Sequence, residues 1–284
     1  VGNLVHPRSI EYKKRLIKTW DEIALRYHKR WAKKSAGPFQ STTKLVGMAK
    51  IGRGDKVLDL ACGTGAITKK ILAKIGNGGH VIGVDSSTAA IKIAKRWASP
   101  KPNIDFVVSD VETLHFNEKF DAVTCQYALF FFPNAHKVLQ NARRCLKKNG
   151  TLALAVHGAG NTVPYFSSIL EVVTKFIPDY LPPGTPDLDR FGTKTKLKAA
   201  IMRAGFTNIR IREFTFSYSP GTFSRYWGDY LKYLAKPLKE KINNLPRAKR
   251  RQLRDQIKQK TLHYTKNGKI TFPWKVLVLT ATKP

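Results

Sequence analysis

A doubly wound, mostly parallel α/β sheet is the fold this sequence predicts, and three observations predict it. From residue 56 to 157, short apolar runs of strand length alternate with longer stretches of helical character. Glycine turns punctuate the alternation, at Gly63 and Gly65 and again at Gly76-Asn77-Gly78-Gly79. The first apolar run, Lys56 to Ala61, suits a strand buried on both faces, as parallel strands between helices are.

The elements follow in order. Leu16, Ile17, Trp20, Ile23, Ala24, Tyr27 and Trp31 recur at three- and four-residue steps, which predicts one amphipathic helix over 9–34, ended by Gly37-Pro38. A second helical stretch covers 41–49, and Gly52 to Asp55 is a turn. Strands are expected at 56–61, 80–84, 104–108, 120–125 and 151–156, with helices at 66–75, 87–97 and 134–146. Past His157 the rhythm changes. Residues 164–176 read as helix, and the Pro-, Gly- and Asp-rich 178–192 as loop. Thr193 can cap a helix running to Ala204, with Gly205 at its end. Residues 208–218 alternate as a strand. A basic helical segment, broken near Pro237 and Pro246, fills 221–264, and 272–282 is the last strand.

Composition bounds the function. A hydrophobic fraction of 42% excludes general disorder. No apolar run reaches the roughly 18 residues of a membrane span. Lys13, Lys14, Arg15 and Lys18 lie in a polar helix with no apolar stretch after them, unlike a signal peptide. Cys62, Cys125 and Cys145 form neither a zinc spacing nor a disulfide framework, and the seven histidines share no spacing with acids that marks a metal site. A reducing cytoplasm is the compartment expected. The net charge of +32 predicts attraction to anions: nucleic acid, an anionic lipid surface or an acidic substrate. A lysine-rich solubilising surface accounts for it equally.

Chemistry concentrates at three strand ends. Val57-Leu58-Asp59-Leu60-Ala61-Cys62-Gly63-Thr64-Gly65 is a strand that turns through glycines into a helix, so backbone N–H groups can approach a ligand. A dinucleotide fingerprint needs a third small residue where Thr68 stands, and Asp59 would repel a pyrophosphate. Asp59 suits a cationic amino-acid head instead. Asp85, ending Val81-Ile82-Gly83-Val84-Asp85, can accept from ribose hydroxyls. Asp110, after Phe106-Val107-Val108-Ser109, can accept from an adenine amino group. Together the three acids fit one adenosine ligand across the carboxyl edge of the sheet; singly, each reads as a solvated loop or cap residue.

These residues resemble the class I S-adenosylmethionine-dependent methyltransferases, and within that class the group around ubiquinone and menaquinone methyltransferases. Asp59 to Gly65 is similar to the first motif of the class, Asp85 to its ribose-binding acid, and Asp110-Val111 to its adenine-side motif. Phe120-Asp121-Ala122-Val123 with Gln126-Tyr127 resembles the fourth motif, and 144–152 the turn into the fifth strand. The resemblance implies a seven-stranded sheet with its last strand antiparallel. It implies S-adenosylmethionine as cofactor, held by Asp59, Ala61, Gly63, Gly65, Asp85, Ser86, Asp110, Val111 and Gln126. It also implies that the first helix closes over the cofactor with Tyr27 and Trp31. The organisation expected is an N-terminal helical cap (1–50), a cofactor-binding core (51–157), a lid insertion (158–192), and the rest of the core (193–284) carrying a basic helical insertion at 221–265.

Methyl transfer from a sulfonium needs alignment and exclusion of water; a general base is required only when the acceptor must lose a proton. Gln126, Tyr127 and His157 are the candidates beside the reacting centre, with His157 either base or structural. Phe130 to Phe132 read as substrate wall or as core. Tyr226, Trp227, Tyr230 and Tyr233, interleaved with Lys232 and Lys236, read as packing or as a substrate mouth, and Arg247 to Arg254 as a solvated face or a phosphate contact. The acceptor expected is a small molecule, anionic or lipid-like; RNA or another polyanion is the alternative. A non-catalytic binding protein and a nicotinamide dehydrogenase fit the acidic motifs less well.

Overall fold

The computed structural model describes residues 7–99, 101–181, 183–233 and 236–284. Expectations for the side chains of Tyr233, Lys236 and Pro237 fall outside the described set. Helix α1 (Pro7–Tyr27), a π-helical turn (His28–Ala32), a 3-10 turn (Gly37–Ser41) and α2 (Thr42–Met48) precede the sheet. Then come β1 (Lys56–Leu60), α3 (Ala66–Ile75), β2 (His80–Asp85), α4 (Thr88–Ala98), β3 (Ile104–Val108), β4 (Phe120–Gln126), α5 (Ala135–Cys145) and β5 (Leu146–His157). The remainder is α6 (Pro164–Phe176), α7 (Lys194–Arg203), β6 (Thr207–Gly221), α8 (Phe223–Tyr233), α9 (Lys236–Asn244), α10 (Arg247–Thr261), β7 (Thr265–Lys266) and β8 (Lys269–Thr282).

The strands lie in the order β3-β2-β1-β4-β5-β8-β6. β1 to β5 are mutually parallel, and β8 runs antiparallel to both neighbours. That is the predicted architecture, with the two-residue β7 added against β8. The central strands carry the core: Val57, Leu58, Val81, Val123, Leu152 and Val156 are all inaccessible to solvent. Parallel strands covered on both faces need such runs.

Caps fix the helix starts. The Ser87 Oγ accepts from the Ala90 N–H, Asn134 Oδ1 from Lys137, and Thr193 Oγ1 from Lys196. Two boundaries differ from the sequence reading. The first helix widens into a π turn at His28, which carries Trp31 and Ala32 into the core. And β5 begins at Leu146 rather than 151, because Leu146 pairs with Phe120 across a bulge and Asn149 takes a left-handed turn (φ 63°) within the strand.

Gly83 shows how tightly the sheet packs beneath the site. A Cβ there meets Phe106 Cδ1 at 2.7 Å and Cys62 Sγ at 2.9 Å. Gly83→Ala is expected to lower the unfolding free energy by about 1–3 kcal/mol through overpacking, read from urea denaturation.

Candidate active site

The chain runs β1, β2, β3 towards one edge of the sheet, then returns to lay β4 on the other side of β1. Such a switch point leaves a crevice outside the carboxyl ends of the strands. Here it is a cleft open to solvent. Asp59, Ala61 and Gly63 line it from the end of β1, Asp85 and Ser86 from β2, and Gln126 and Tyr127 from β4. Leu16, Trp20, Ala24 and Tyr27, one stripe of α1, form its roof, with Phe39, Phe131 and Phe132 at the side.

Both acids are held by donors. Thr68 and Thr124 hydroxyls donate to the two Asp59 oxygens at 2.6 and 2.7 Å. Burial nonetheless pushes the Asp59 carboxyl up to about 7. Asp85 accepts from the Gly63 N–H and the Ser87 N–H, each at 2.8 Å, and burial raises its pKa as well. Folded Asp59 therefore holds its proton more tightly than the unfolded chain does. This contribution favours the folded state at low pH and is lost as pH rises from about 4 to about 7.

The two loop glycines have different duties. Gly63 (φ 56°) borders the cleft, and a Cβ added there meets nothing within 4 Å. Gly65 (φ 81°) caps α3, and a Cβ there falls 2.5 Å from Trp97. The Trp97 indole in turn donates to Thr64 O. Gly65 thus shapes the loop without lining the cleft.

At the end of β4, Tyr127 adopts left-handed backbone (φ 56°), as Ala61 does at the end of β1 (φ 51°). Non-glycine residues in that region store strain, and both border the cleft. Gln126 accepts from the Thr42 hydroxyl at 3.1 Å and donates to Ser41 Oγ at 3.0 Å, while the Tyr127 hydroxyl bonds Ser41. The start of α2 therefore fixes both side chains, an arrangement with no sequence signature.

Five predicted residues stand elsewhere. His157 lies behind Tyr127, stacked on its ring at 4.5 Å, and its Nδ1 accepts from the Trp274 indole at 3.0 Å. Burial lowers its pKa to about 3. A neutral imidazole with that acceptor engaged is a packing group, so the general-base reading is set aside. Trp31 is buried against Tyr27, Tyr165 and Trp274, because the π turn swings it inward. Asp110, half-buried, accepts from Lys13 at 2.8 Å and from the Glu112 N–H, and Val111 is buried in the core. Neither borders the cleft, and Gly65 serves the loop as described.

Sequence reasoning missed how α1 is fastened. Lys13 pairs with Asp110 and Glu112 beyond β3. Asp21 accepts from the Ser87 hydroxyl and the Ala89 N–H at the start of α4. His28 Nδ1 bonds the Thr64 hydroxyl after β1, at 2.8 Å. The helix is tied to all three acidic strand ends. Trp20 lay in the predicted apolar stripe, which gave no sign that part of the stripe faces a cleft.

Among the described residues, the lining contains two acids, with aromatic, aliphatic and small residues, and no Lys, Arg or His, although the chain carries a net charge of +32. A nucleoside with a cationic amino-acid tail fits it: carboxylates at two strand ends, free space at Gly63, and the rings of Trp20 and Tyr27 opposite.

A crevice outside the carboxyl ends of the strands is where doubly wound sheets take their ligands. Residues 57–150 match a family described as a methyltransferase domain. The chain is 28% identical over 208 residues to a demethylmenaquinone methyltransferase of Staphylococcus saprophyticus, covering 68% of this chain and 83% of that one. The Staphylococcus aureus protein of the same name is also 28% identical over 208 residues, covering 68% of this chain and 80% of its own. Among solved structures, the YcgJ protein of a Bacillus aligns with a TM-score of 0.58 at 20% identity, covering 86% of this chain and 98% of that one. A Haemonchus contortus phosphoethanolamine N-methyltransferase in complex with S-adenosyl-L-methionine aligns at 0.59 and 16% identity, over 99% of this chain and 61% of its own. These two likenesses concern the fold. The domain match and these relatives support an S-adenosylmethionine-dependent methyltransferase of class I, a class whose cofactor is S-adenosylmethionine.

The glycine pair gives a test. Gly63→Ala should remain folded, at a cost of about 1–2 kcal/mol for the left-handed backbone, yet weaken S-adenosylhomocysteine binding about tenfold by calorimetry. Gly65→Ala should lose about 1–3 kcal/mol more than Gly63→Ala in urea denaturation, from the contact with Trp97.

Proposed function

We propose that this enzyme methylates a small, lipid-like, aromatic acceptor of the quinone type, with the cofactor held by Asp59, Ala61, Gly63, Asp85 and Ser86 under α1. The observation that carries the reading is the charge of the cleft. An RNA track needs cations along it, and the lining has none. It offers no cation to an anionic acceptor either. Its free wall is the aromatic side formed by Phe39, Phe131 and Phe132, which suits a flat apolar ring. The names of the staphylococcal relatives support the same acceptor class.

The bound cofactor supplies a sulfonium methyl, already attached to a good leaving group. The protein's share is placement. Asp85 offers its remaining lone pairs to ribose hydroxyls, and Asp59 faces the cationic tail. Gln126 and Tyr127, locked by Ser41 and Thr42, set the wall beside the reacting centre. The described part of the N-terminal segment, residues 7–50, acts as a cap on the core.

Asp85→Asn should weaken S-adenosylhomocysteine binding at least about tenfold by calorimetry, and methyl transfer to a short-chain prenylated naphthoquinol should fall with it. Undetectable transfer to that quinol by a protein that still binds the cofactor, with turnover of RNA instead, removes the acceptor assignment. Cofactor affinity should also depend on pH. A cation binds the ionised Asp59 better, so affinity falls as pH drops below about 7, approaching tenfold per pH unit at the limit of one proton taken up. In Asp59→Asn that slope should vanish.

A further inference from the structure

A second groove, of about 910 Å³, lies between α8, α9 and α10, and shares no lining residue with the active-site cleft. Arg247, Arg250, Arg251 and Arg254 line it. Their three- and four-residue spacing sets them in one stripe of α10, and all four are exposed. Trp227 and Leu231 of α8, both half-buried, supply its apolar side. Among the described residues, no ion pair engages any of the four arginines, while Lys241 and Lys260 nearby are paired with Asp179 and Glu171. Residues 236–261 hold ten Lys and Arg against two acids. Like charges at such spacing repel, so α10 keeps this stripe at a cost that a bound polyanion removes.

We infer that this groove docks the enzyme on an anionic phospholipid bilayer, with lipid phosphates on the arginine stripe and Trp227 at the headgroup level. Guanidinium groups take phosphate oxygens in pairs, and an indole flanked by aliphatic and basic side chains is the composition of an interfacial helix face. The groove also connects to the reaction centre. α8 turns Tyr226 and Tyr230 inward, and ring contacts run from Tyr226 through Tyr165, Trp274 and His157 to Tyr127 in the active-site wall. A bilayer on α8 and α10 therefore lies one helix and one ring cluster from the cleft.

The test is flotation of the full chain with vesicles at about 0.15 M salt, near physiological screening, and it is independent of the methyl acceptor. Vesicles of phosphatidylcholine with about one-third phosphatidylglycerol should bind the protein, and pure phosphatidylcholine should not. Removing the four arginine charges (R247Q/R250Q/R251Q/R254Q) should lower the partition coefficient on the order of a hundredfold or more, at roughly fivefold per basic group near the surface. Removing the same charge from the exposed face of α7 (K194Q/K196Q/K198Q/R203Q) should change it less than tenfold if attraction is local. Cofactor affinity by calorimetry should be unchanged in both variants. Absent binding to the anionic vesicles, or equal losses in the two variants, overturns the inference. So does an arginine-dependent affinity for a single-stranded RNA probe that exceeds the affinity for the vesicles.

Discussion

Two carboxylates at adjacent strand ends, one buried and one half-buried, are the constraint around which this molecule is arranged. Asp59 and Asp85 lie on neighbouring strands, and the charge of Asp85 adds to the effect of burial on Asp59. The fold meets that demand with local parts. Thr68, one turn into α3, and Thr124 on β4 serve Asp59. The Gly63 and Ser87 N–H groups serve Asp85, which ties the glycine loop to the start of α4. A buried acid costs much unless it is paired, and on the proposed function the counter-charge arrives with the cationic tail of the cofactor. The same pair that burdens the free protein thus selects what enters the cleft.

The roof follows from the same logic. α1 bonds each of the three acidic strand ends, through Lys13, Asp21 and His28. It also presents an apolar stripe to the cleft. Ser41 and Thr42, just beyond it in sequence, hold Gln126 and Tyr127. The roof of the cleft and the placement of Gln126 and Tyr127 in its wall are therefore set by one N-terminal segment.

Most of the fold was legible because strand runs, glycine turns and caps are local signals. Ser87, Asn134 and Thr193 act where helix starts were expected. The acids at β1 and β2 were legible for the same reason, since position at a strand end decides what they face. The bond of Asp110 to Lys13 joins residues 97 apart in the chain, so no local signal shows it. Trp31 misled because a π turn rotates it off the stripe, and periodicity assumes a regular helix. The lock of Ser41 and Thr42 on Gln126 and Tyr127 depends on tertiary approach alone. His157 sits at a strand end as expected, but the indole of Trp274, more than a hundred residues on, occupies its acceptor nitrogen.

The strand order leaves β3 and β6 as the two open margins of the sheet. Unpaired backbone along a margin invites the margin of another copy, the first step to aggregation. β3 limits that risk by brevity, with five residues, though Val107 and Val108 are exposed on it. β6 is three times as long and carries Arg210, Arg212 and Glu213. With a net charge of +32 on every copy, approach of two such margins is opposed before any backbone pairing begins. The positive surface therefore also serves colloidal stability, and neutralising it wholesale would expose a long strand to self-association.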